Sequence, residues 1–405
     1  MYDAIIVGAG PGGATAAAVM ARRGLKPLLI DRDNFPRDKV CGDALSGKTV
    51  DVMKRLGMIE ALQAVSQLDS WGVTFSGPSG DEVAIPFTKA LDKPIAPGFV
   101  CDRITFDNLV FQQAVESGAE IWTEATVTGL LREGEKVVGV RVKRNGAEEE
   151  VRAPITVGAD GAYSVVVREL GMDQLHEDHY CAGLRWYWEG VTGFHELNHI
   201  EIHFVDESSP GYFWIFPMAD GKANVGLGML SSMVKKRDIK LKPLLERLVE
   251  HPRFKDRFAD AKPIDKIRGW GLPLGSRPRR MSGDGWMLLG DAASLIDPFT
   301  GEGIGNAMVS AEKVAEWTEK AKEVHDFSGQ FLGGYDRDVM GYLGNELKIS
   351  TGMQRLGRWK WLLNKVIQKA SRSEELADAI SIMFDDESER KKLVSPMFYL
   401  RVLTA

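Results

Sequence analysis

The chain opens with a glycine turn between an apolar stretch and a helical one, and this feature constrains its fold more than any other. Residues 2–7 form the apolar run, the turn reads Gly8–Ala–Gly–Pro–Gly–Gly13, and residues 14–23 have the composition of a helix. In such a turn Gly8 permits the tight bend, Gly10 lets the backbone approach a pyrophosphate, and Gly13 allows close packing of helix on strand. Unpaired N–H groups and the helix dipole favour an anion at the start of the helix.

A second strand with an acidic end follows at the distance that nucleotide binding requires. Residues 27–30 read Pro–Leu–Leu–Ile and are followed by Asp31 and Arg32. The Asp31 carboxylate lies about 20 residues beyond the glycines, where it can accept hydrogen bonds from a ribose 2′-hydroxyl and would repel a 2′-phosphate. The pattern predicts a dinucleotide-binding βαβ unit in which both residues contact the cofactor. The alternative is a plain βαβ turn without a ligand.

Composition is typical of a soluble enzyme with several domains. The chain has 405 residues, 44% hydrophobic and 27% charged, so it can bury a large core divided between two or three domains. Its net charge of −6 argues against nucleic acid as the main partner. The sequence contains no run of about 20 uncharged apolar residues, so we expect no membrane span. The first strand begins at once, so we expect no signal peptide. We therefore expect a cytoplasmic protein.

Neither the cysteines nor the histidines predict a metal site. Cys41, Cys101 and Cys181 are too widely spaced for a disulfide framework or a four-cysteine iron–sulfur site. His199 and His203 would share one face of a strand, but no third ligand stands nearby in the sequence. We expect these two histidines on a solvated face and no bound metal.

The alternation of strand and helix patterns predicts an α/β fold in three parts. A polar loop covers residues 34–43, and an amphipathic helix is indicated at 105–118. Two apolar runs at 126–131 and 137–143, joined by a charged turn, predict paired strands, and aromatic-rich strands alternate from about 180 to 265. We expect a Rossmann-like nucleotide-binding domain, a separate antiparallel β-sheet substrate domain and a helical C-terminal region. The nucleotide-binding domain is predicted to comprise residues 1–70, 96–180 and 266–310. The substrate domain would comprise 71–95 and 181–265, and the C-terminal region 311–405.

Two further segments carry a family resemblance together with the opening turn. They are Gly158–Ala–Asp–Gly161 and Gly290–Asp291, and the three in this order resemble the FAD-dependent hydroxylase fold of aromatic hydroxylases, flavin halogenases and geranylgeranyl reductases. Three stretches make the chain most similar to the geranylgeranyl reductases. These are Lys39–Val–Cys–Gly42, the aromatic residues 210–217, which resemble a Tyr-x-Trp-x-Phe-Pro cavity motif, and residues 297–304, which resemble a flavin loop. The resemblance covers roughly residues 1–310.

The resemblance implies FAD as the cofactor and a set of residues that contact it. Asp291 would accept hydrogen bonds from the ribityl hydroxyls, and Asp160 would help to hold the nucleotide. The loop from Pro298 would turn its N–H groups towards the flavin. Arg103 would reach the phosphates, or it is an exposed arginine at a helix start. The implied contacts beyond the first unit are Cys41, Gly42, Arg103, Asp160, Gly290, Asp291, Pro298, Gly301, Gly303 and Ile304.

An aromatic stripe is the candidate substrate site. Tyr212, Trp214 and Phe216 would share one face of a strand, because side chains alternate with a period of two, and Phe213 and Ile215 would share the other. Such a stripe is often ordinary core. The resemblance makes it a cavity wall, which suits a long isoprenoid that binds by buried apolar area.

The resemblance implies a reductase that saturates carbon–carbon double bonds of a long, geranylgeranyl-type isoprenoid by hydride transfer from reduced FAD. No second glycine turn with a following acid occurs in the sequence, so we expect no separate nicotinamide domain. The electrons would come from NADPH that visits transiently, or from a ferredoxin. Cys41 would deliver a proton or shape the roof of the cavity, or it is a small packing residue.

Other functions on the same fold remain open. An FAD-dependent monooxygenase or halogenase would act on an apolar or aromatic substrate, and a halogenase is expected to show Trp-x-Trp-x-Ile-Pro where this chain has Tyr212 and Phe216. A quinone oxidoreductase fed by electron-transferring flavoproteins needs an iron–sulfur domain, for which the cysteines do not suffice. A non-enzymatic prenyl escort protein would lose the cofactor glycines, which are intact here.

A basic segment late in the chain predicts a peripheral membrane contact. Residues 348–373 carry seven Lys or Arg and no Asp or Glu. On a helix this segment has one apolar stripe, formed by Trp359, Leu362, Leu363, Val366 and Ile367. The stripe either packs on its own domain or docks on anionic lipid at the inner face of a membrane.

Overall fold

The computed structural model describes residues 1–87, 90–173 and 175–373. Its strands are β1 (Ala4–Val7), β2 (Pro27–Ile30), β3 (Ala44–Leu45), β4 (Leu68–Ser70), β5 (Gly72–Ser76), β6 (Glu82–Pro86), β7 (Gly98–Val100), β8 (Glu120–Trp122), β9 (Thr126–Glu133), β10 (Lys136–Arg144), β11 (Ala147–Arg152), β12 (Ile155–Gly158), β13 (Tyr180–Glu189), β14 (Ile200–His203), β15 (Tyr212–Pro217), β16 (Lys222–Leu230), β17 (Lys262–Pro263), β18 (Arg268–Pro273), β19 (Ser282–Gly283) and β20 (Trp286–Leu288). Its helices are α1 (Pro11–Arg22), α2 (Gly47–Arg55), α3 (Ile59–Gln63), α4 (Arg103–Glu116), α5 (Val165–Glu169), α6 (Ser231–Lys236), α7 (Leu241–Val249), α8 (Ile304–Val324), α9 (Gly329–Leu356) and α10 (Lys360–Ala370).

A mostly parallel sheet forms the first layer and carries the glycine turn. Its strand order is β19-β20-β12-β1-β2-β8, and only the edge pair β19–β20 is antiparallel. Strand β1 is fully buried because α1, α4 and α8 pack in the same core, which explains its continuous apolar sequence. The predicted α/β fold with a Rossmann-like domain is confirmed.

A second, larger sheet stands apart from the first. Its order is β17-β13-β16-β15-β14-β5-β6, with β18 also paired to β13, and every pair is antiparallel except β14–β5. The parallel pair arises because β5 and β6 come from a distant part of the chain, so no hairpin dictates their direction. Strand β18 joins this sheet although residues 266–310 were assigned to the first domain. The predicted domain limits stay a proposal.

A small antiparallel sheet, β11-β10-β9, was only partly predicted. Strands β9 and β10 form the hairpin expected from two apolar runs joined by a charged turn. Strand β11 was missed because it contains three consecutive glutamates and is almost entirely exposed. Its pairing with β10 satisfies the backbone, and that is a contact which side-chain patterns do not reveal.

The two histidines predicted on a solvated face are buried instead. His199 and His203 have 0% and 1% of their surface exposed. His203 hydrogen-bonds with Ser76 at 2.7 Å and with Glu201 at 3.1 Å, and Arg257 binds the same glutamate. A buried polar network therefore occupies this face of β14. The prediction of a solvated face is wrong because Ser76 and Arg257, which lie on other elements, supply hydrogen bonds that water would otherwise make.

The last described helix, α10, packs on the larger sheet at β6, whereas α8 and α9 pack with the first layer. The predicted apolar stripe of α10 packs mainly on its own domain, since Leu362 and Ile367 have 7% and 3% of their surface exposed. Trp359 and Trp361 are different, with 57% and 54% exposed. None of the helices in the described part of the chain has the length and apolar character of a membrane span. The end of the predicted C-terminal region, 374–405, lies outside the described residues.

Candidate functional site

The glycine turn forms a cradle that fits a pyrophosphate. Gly8 has φ of +100°, and a Cβ there would lie 2.6 Å from the carbonyl oxygen of Ala159. A Cβ on Gly13 would run into the carbonyl oxygen of Gly8. Helix α1 begins at Pro11 with Gly10 as its N-cap and no capping side chain, so the amides of its first turn are open to an anion.

Asp31 is fixed at the end of β2 by two backbone amides. Its Oδ2 accepts from the Ala9 amide at 2.6 Å and its Oδ1 accepts from the Asp33 amide at 2.9 Å. Each carboxylate oxygen keeps a further lone pair for a ribose hydroxyl. Arg32 lines the same cavity but is exposed, with its guanidinium 3.6 Å from the Asp33 carboxylate. The contacts of both residues with the cofactor stay a prediction.

Two arginines share one carboxylate beside the glycine turn. Arg103, at the start of α4, binds Asp107 through Nε at 2.5 Å and Nη2 at 2.8 Å, and Arg37 binds the same carboxylate at 2.8 Å. Arg103 is only 7% exposed, so the alternative of an exposed helix-start arginine is wrong. Arg37 was missed, although the structure places its guanidinium next to Gly10. The only signal was its place in the polar loop after the first βαβ unit.

Asp160 shapes a turn, whereas Asp291 faces the cavity. The two oxygens of Asp160 accept from the Ser164 hydroxyl at 2.5 Å and the Val165 amide at 2.6 Å, so they hold the start of α5. Burial raises the pKa of Asp291, and Lys39 and Arg103 oppose the rise. Burial, and then the charge of Arg103, lower the pKa of Lys39 to about 7. Mutual attraction between the lysine and the aspartate favours their charged forms at this end of the cavity.

The predicted flavin loop is a rigid turn before α8. Oδ1 of Asp297 accepts from the amides of Phe299 and Thr300 at 2.9 and 2.8 Å. Gly301 has φ of +77°, and the Asn306 side chain donates to the carbonyl oxygen of Leu295 at 2.8 Å. These bonds fix the loop without using a bound group, so its shape is set in advance.

All these segments line one cavity of about 690 Å³. Every predicted site residue lines it except Gly13, which lies beneath the turn. The glycine cradle and the Asp291 end are polar, while the other end is lined by the aromatic strand β15. One space therefore joins a nucleotide cradle to an apolar chamber, and the residues present fit FAD at the polar end.

The predicted aromatic face lies on the chamber. Trp214 and Phe216 are each 7% exposed and line the cavity, and Tyr212 donates from its hydroxyl to the carbonyl oxygen of Thr300 at 3.2 Å. Phe213, on the opposite face of β15, is fully buried in a separate core beside α7. The alternation of faces is confirmed, and the aromatic wall touches the flavin loop directly.

A polar network that the sequence did not predict holds this wall to the loop at Cys41. Trp214 Nε1 donates to Asn224 Oδ1 at 2.8 Å, and Asn224 Nδ2 donates at 2.8 Å to both the Cys41 carbonyl oxygen and Asp43 Oδ2. The Tyr187 hydroxyl also donates to Asp43 Oδ2 at 2.5 Å. Because an indole only donates, the amide orientation of Asn224 is fixed. An asparagine inside the apolar run of β16 was the available signal.

Cys41 is a half-buried thiol on the cavity wall. Burial raises its pKa against the influence of the Arg103 guanidinium, so the thiol keeps its proton at neutral pH. The adjacent Gly42 leaves little room for a side chain, because a Cβ there would lie 3.1 Å from the Phe216 ring. Burial also raises the pKa of Asp43 to about 7, which hydrogen bonds from Tyr187 and Asn224 only partly offset.

Comparison with known proteins agrees with this site. Residues 1–317 match the family profile described as FAD binding domain. Fold and match together define an FAD-dependent oxidoreductase. The digeranylgeranylglycerophospholipid reductase of Thermoplasma acidophilum is 31% identical over 340 residues, which make up 83% of this chain and 82% of that protein. The chain belongs to the geranylgeranyl reductase family of FAD-dependent oxidoreductases, as the sequence motifs predicted.

Solved structures give the same result for the fold. A geranylgeranyl bacteriochlorophyll reductase-like protein from Thermoplasma acidophilum has a TM-score of 0.81 and 27% identity, over 97% of this chain and 98% of that chain. A myxobacterial chondrochloren halogenase has a TM-score of 0.74 and 23% identity, over 98% of this chain and 92% of that chain. At that identity, the halogenase shows a shared fold alone.

Proposed function

We propose that this enzyme saturates carbon–carbon double bonds in a long isoprenoid lipid, with FAD as the hydride carrier. One observation carries the proposal: a single cavity of about 690 Å³ runs from the glycine cradle to the aromatic face of β15. Such a chamber binds a chain by apolar contact and offers few polar groups for a small hydrophilic substrate. The names of the reductase relatives support the same substrate class.

The residues of the chain would position the lipid and manage a proton. Reduced FAD supplies a hydride from its N5 atom when bound. Trp214 and Phe216 would hold the chain and exclude water from the reacting bond. Cys41 presents a protonated thiol at the wall and would deliver the proton to the second carbon of the double bond.

The cofactor contacts form the second part of the proposal. We assign the pyrophosphate to the turn at Gly8, Gly10 and Gly13, and the ribose to Asp31 with Arg32 beside it. The remaining assigned contacts are Cys41, Gly42, Arg103, Asp160, Gly290, Asp291, Pro298, Gly301, Gly303 and Ile304. For Asp160 the contact would be made through the turn that its side chain holds.

The electrons would come from a visiting donor, NADPH or a ferredoxin. Anaerobic stopped-flow mixing of the oxidised holoenzyme with each donor distinguishes them, because the flavin absorbance bleaches only with a competent one. A donor that bleaches the flavin within seconds is accepted, and one that needs a mediator is rejected.

Product analysis tests the reaction itself. The anaerobically reduced holoenzyme is incubated with geranylgeraniol and its phosphate esters, and the products are identified by mass spectrometry. Each saturated bond adds two hydrogens, and this mass change is the expected result. Products that carry oxygen or halogen, formed only in air, would support the monooxygenase or halogenase alternative instead.

We also propose that the α9–α10 corner docks the enzyme on a membrane. Trp359 and Trp361 are both more than half exposed, and their rings stack with centroids 6.4 Å apart. Arg355, Arg358 and Lys365 are exposed around them. Exposed indoles beside basic side chains are typical of a peripheral surface for anionic lipid, and Arg358 of this corner also lines the cavity.

A further inference from the structure

The last turn of α9 forms part of the cavity rim. Gln354, Gly357 and Arg358 line the cavity there. Gln354 Nε2 donates to the carbonyl oxygen of Pro298 at 2.9 Å, which ties this turn to the flavin loop. Arg358, which follows this turn, is exposed and also lines the cavity, so it stands where the chamber meets solvent.

Arg358 differs from the other basic residues that line the cavity. Most of those form ion pairs, which are Arg37–Asp107, Lys48–Glu346, Arg103–Asp107, Arg185–Asp38 and Arg268–Asp38. Lys39 lies over the Trp270 ring with its Nζ 3.6 Å from the centroid, and Arg32 stands near Asp33. Arg358 is exposed and forms no side-chain hydrogen bond or ion pair with any residue that the structure describes.

The surroundings of Arg358 suit the junction between a lipid chain and its headgroup. The chamber inside is walled by Phe204, Tyr212 and Phe299, and the Phe204 ring centroid lies 6.3 Å from the centroid of each of the other two rings. Outside, Trp359 and Trp361 expose their indoles. An apolar chain that fills the chamber leaves its polar end at this rim, between an aromatic interior and an unpaired cation.

We infer that Arg358 binds the anionic headgroup, a phosphate ester or diphosphate, of the isoprenoid whose chain occupies the chamber. A guanidinium presents two parallel N–H groups to phosphate oxygens, so it recognises such a group by shape and by charge. Arg358 then determines which isoprenoids the enzyme prefers. This inference rests on the proposed function, because it needs a lipid in the chamber.

Paired substrates test the headgroup contact. Kinetics of the reduced holoenzyme are measured with geranylgeraniol and with geranylgeranyl monophosphate in the same neutral detergent. Arg358→Gln should raise KM for the phosphate by about 10- to 100-fold, as expected for loss of a charge-assisted hydrogen bond. KM for the alcohol should stay within about twofold, and Arg358→Lys should recover part of the loss. An equal rise for both substrates, or no rise for either, would overturn the inference.

Arg337 offers a matched control on α9, the helix that Arg358 follows. It is exposed like Arg358 but does not line the cavity. Arg337→Gln removes the same charge from the surface of α9, so it should leave both KM values unchanged. If Arg337→Gln has the same effect as Arg358→Gln, general surface charge is responsible and the headgroup site is rejected.

Binding without turnover separates this inference from the proposed function. Oxidised holoenzyme is titrated calorimetrically with geranylgeranyl monophosphate and with inorganic phosphate. Tighter binding of the ester, lost in Arg358→Gln, supports the headgroup site even if no reduction is observed with any isoprenoid. Equal affinity for inorganic phosphate would mean a free-phosphate site and overturn the lipid assignment. Reduction of both isoprenoids with identical KM values in wild type and Arg358→Gln would refute the headgroup site alone.

Discussion

Trp214 donates from its indole nitrogen to Oδ1 of Asn224 at 2.8 Å, and through this asparagine the aromatic wall is bonded to the loop that carries Cys41. The two segments are 183 residues apart in the chain from Cys41 to Asn224. The aromatic wall and the loop are therefore coupled, and we expect a substitution in the wall to alter the position of Cys41.

Truncation of the wall should impair lipid turnover and spare the cofactor. Trp214→Ala should lower kcat/KM for a long isoprenoid by at least about tenfold, because the buried apolar contact is lost. The flavin absorbance spectrum should not change. Phe213→Ala is the control, since Phe213 lies on the other face of the strand and should reduce thermal stability without that kinetic loss. Unchanged kinetics in Trp214→Ala would show that the aromatic stripe is ordinary core and not a substrate site.

Removal of the carboxylate at the strand end should weaken FAD retention. Asp291→Ala should raise the Kd for FAD by about 10- to 100-fold, as expected for a lost charge-assisted hydrogen bond. The flavin-to-protein ratio after extensive dialysis measures the effect. Asp51→Ala, an exposed residue on α2, should retain the wild-type ratio. Full occupancy in Asp291→Ala would show that the ribityl contact is misplaced.

Replacing two helical glycines by alanine should have different effects on stability. Gly13→Ala should lower the melting temperature and the FAD content, because the new Cβ collides with the Gly8 carbonyl oxygen. Gly341→Ala, in α9, should be neutral or stabilising by up to about 1 kcal/mol, because nothing lies within 4 Å of its Cβ. Thermal unfolding of the two holoenzymes compares them. A Gly13→Ala protein with normal stability and full flavin content contradicts the predicted close approach.

Titration of Asp43 should make stability depend on pH. Its pKa rises from 3.8 to about 7 on folding, so the folded state binds more protons between these values. The stability that this group contributes is complete below about pH 4 and is lost as the pH rises through about 7. Asp43→Asn removes the titration and keeps a residue that tolerates the φ of 66°. The melting temperature of the variant relative to wild type should therefore increase by several degrees from pH 5 to pH 8. Asp51→Asn should show no such trend.

Liposome co-sedimentation tests membrane docking. Binding should require anionic lipid, fall with salt, and drop when Arg355, Arg358, Lys360 and Lys365 become Gln. The control changes as many charges elsewhere, at the exposed lysines Lys235, Lys236, Lys240 and Lys242. That control should bind like wild type. Absence of binding by wild type at low salt, or an equal loss in both variants, rules out this surface.

The sequence was sufficient for features that local patterns encode. The glycine turn, the acid at the end of β2 and the alternating faces of β15 each follow from a spacing of a few residues. The roles of Asn224 and Asp43 could not be predicted, because their hydrogen bonds depend on how distant segments of the chain meet. The parallel pairing of β5 with β14 has the same origin. The sequence left the role of Arg103 ambiguous. Its position at a helix start follows from the local pattern, but its burial depends on Asp107 and the surrounding loops.

The cavity is one continuous space, so a flavin in the glycine end would become the floor on which a lipid in the aromatic end rests. Reciprocity then requires each molecule to raise the affinity of the protein for the other by the same factor. Enzyme loaded with lipid should lose FAD more slowly, and enzyme stripped of FAD should hold lipid weakly. A molecule that lacks its cofactor would thus return its isoprenoid to the surroundings instead of sequestering it.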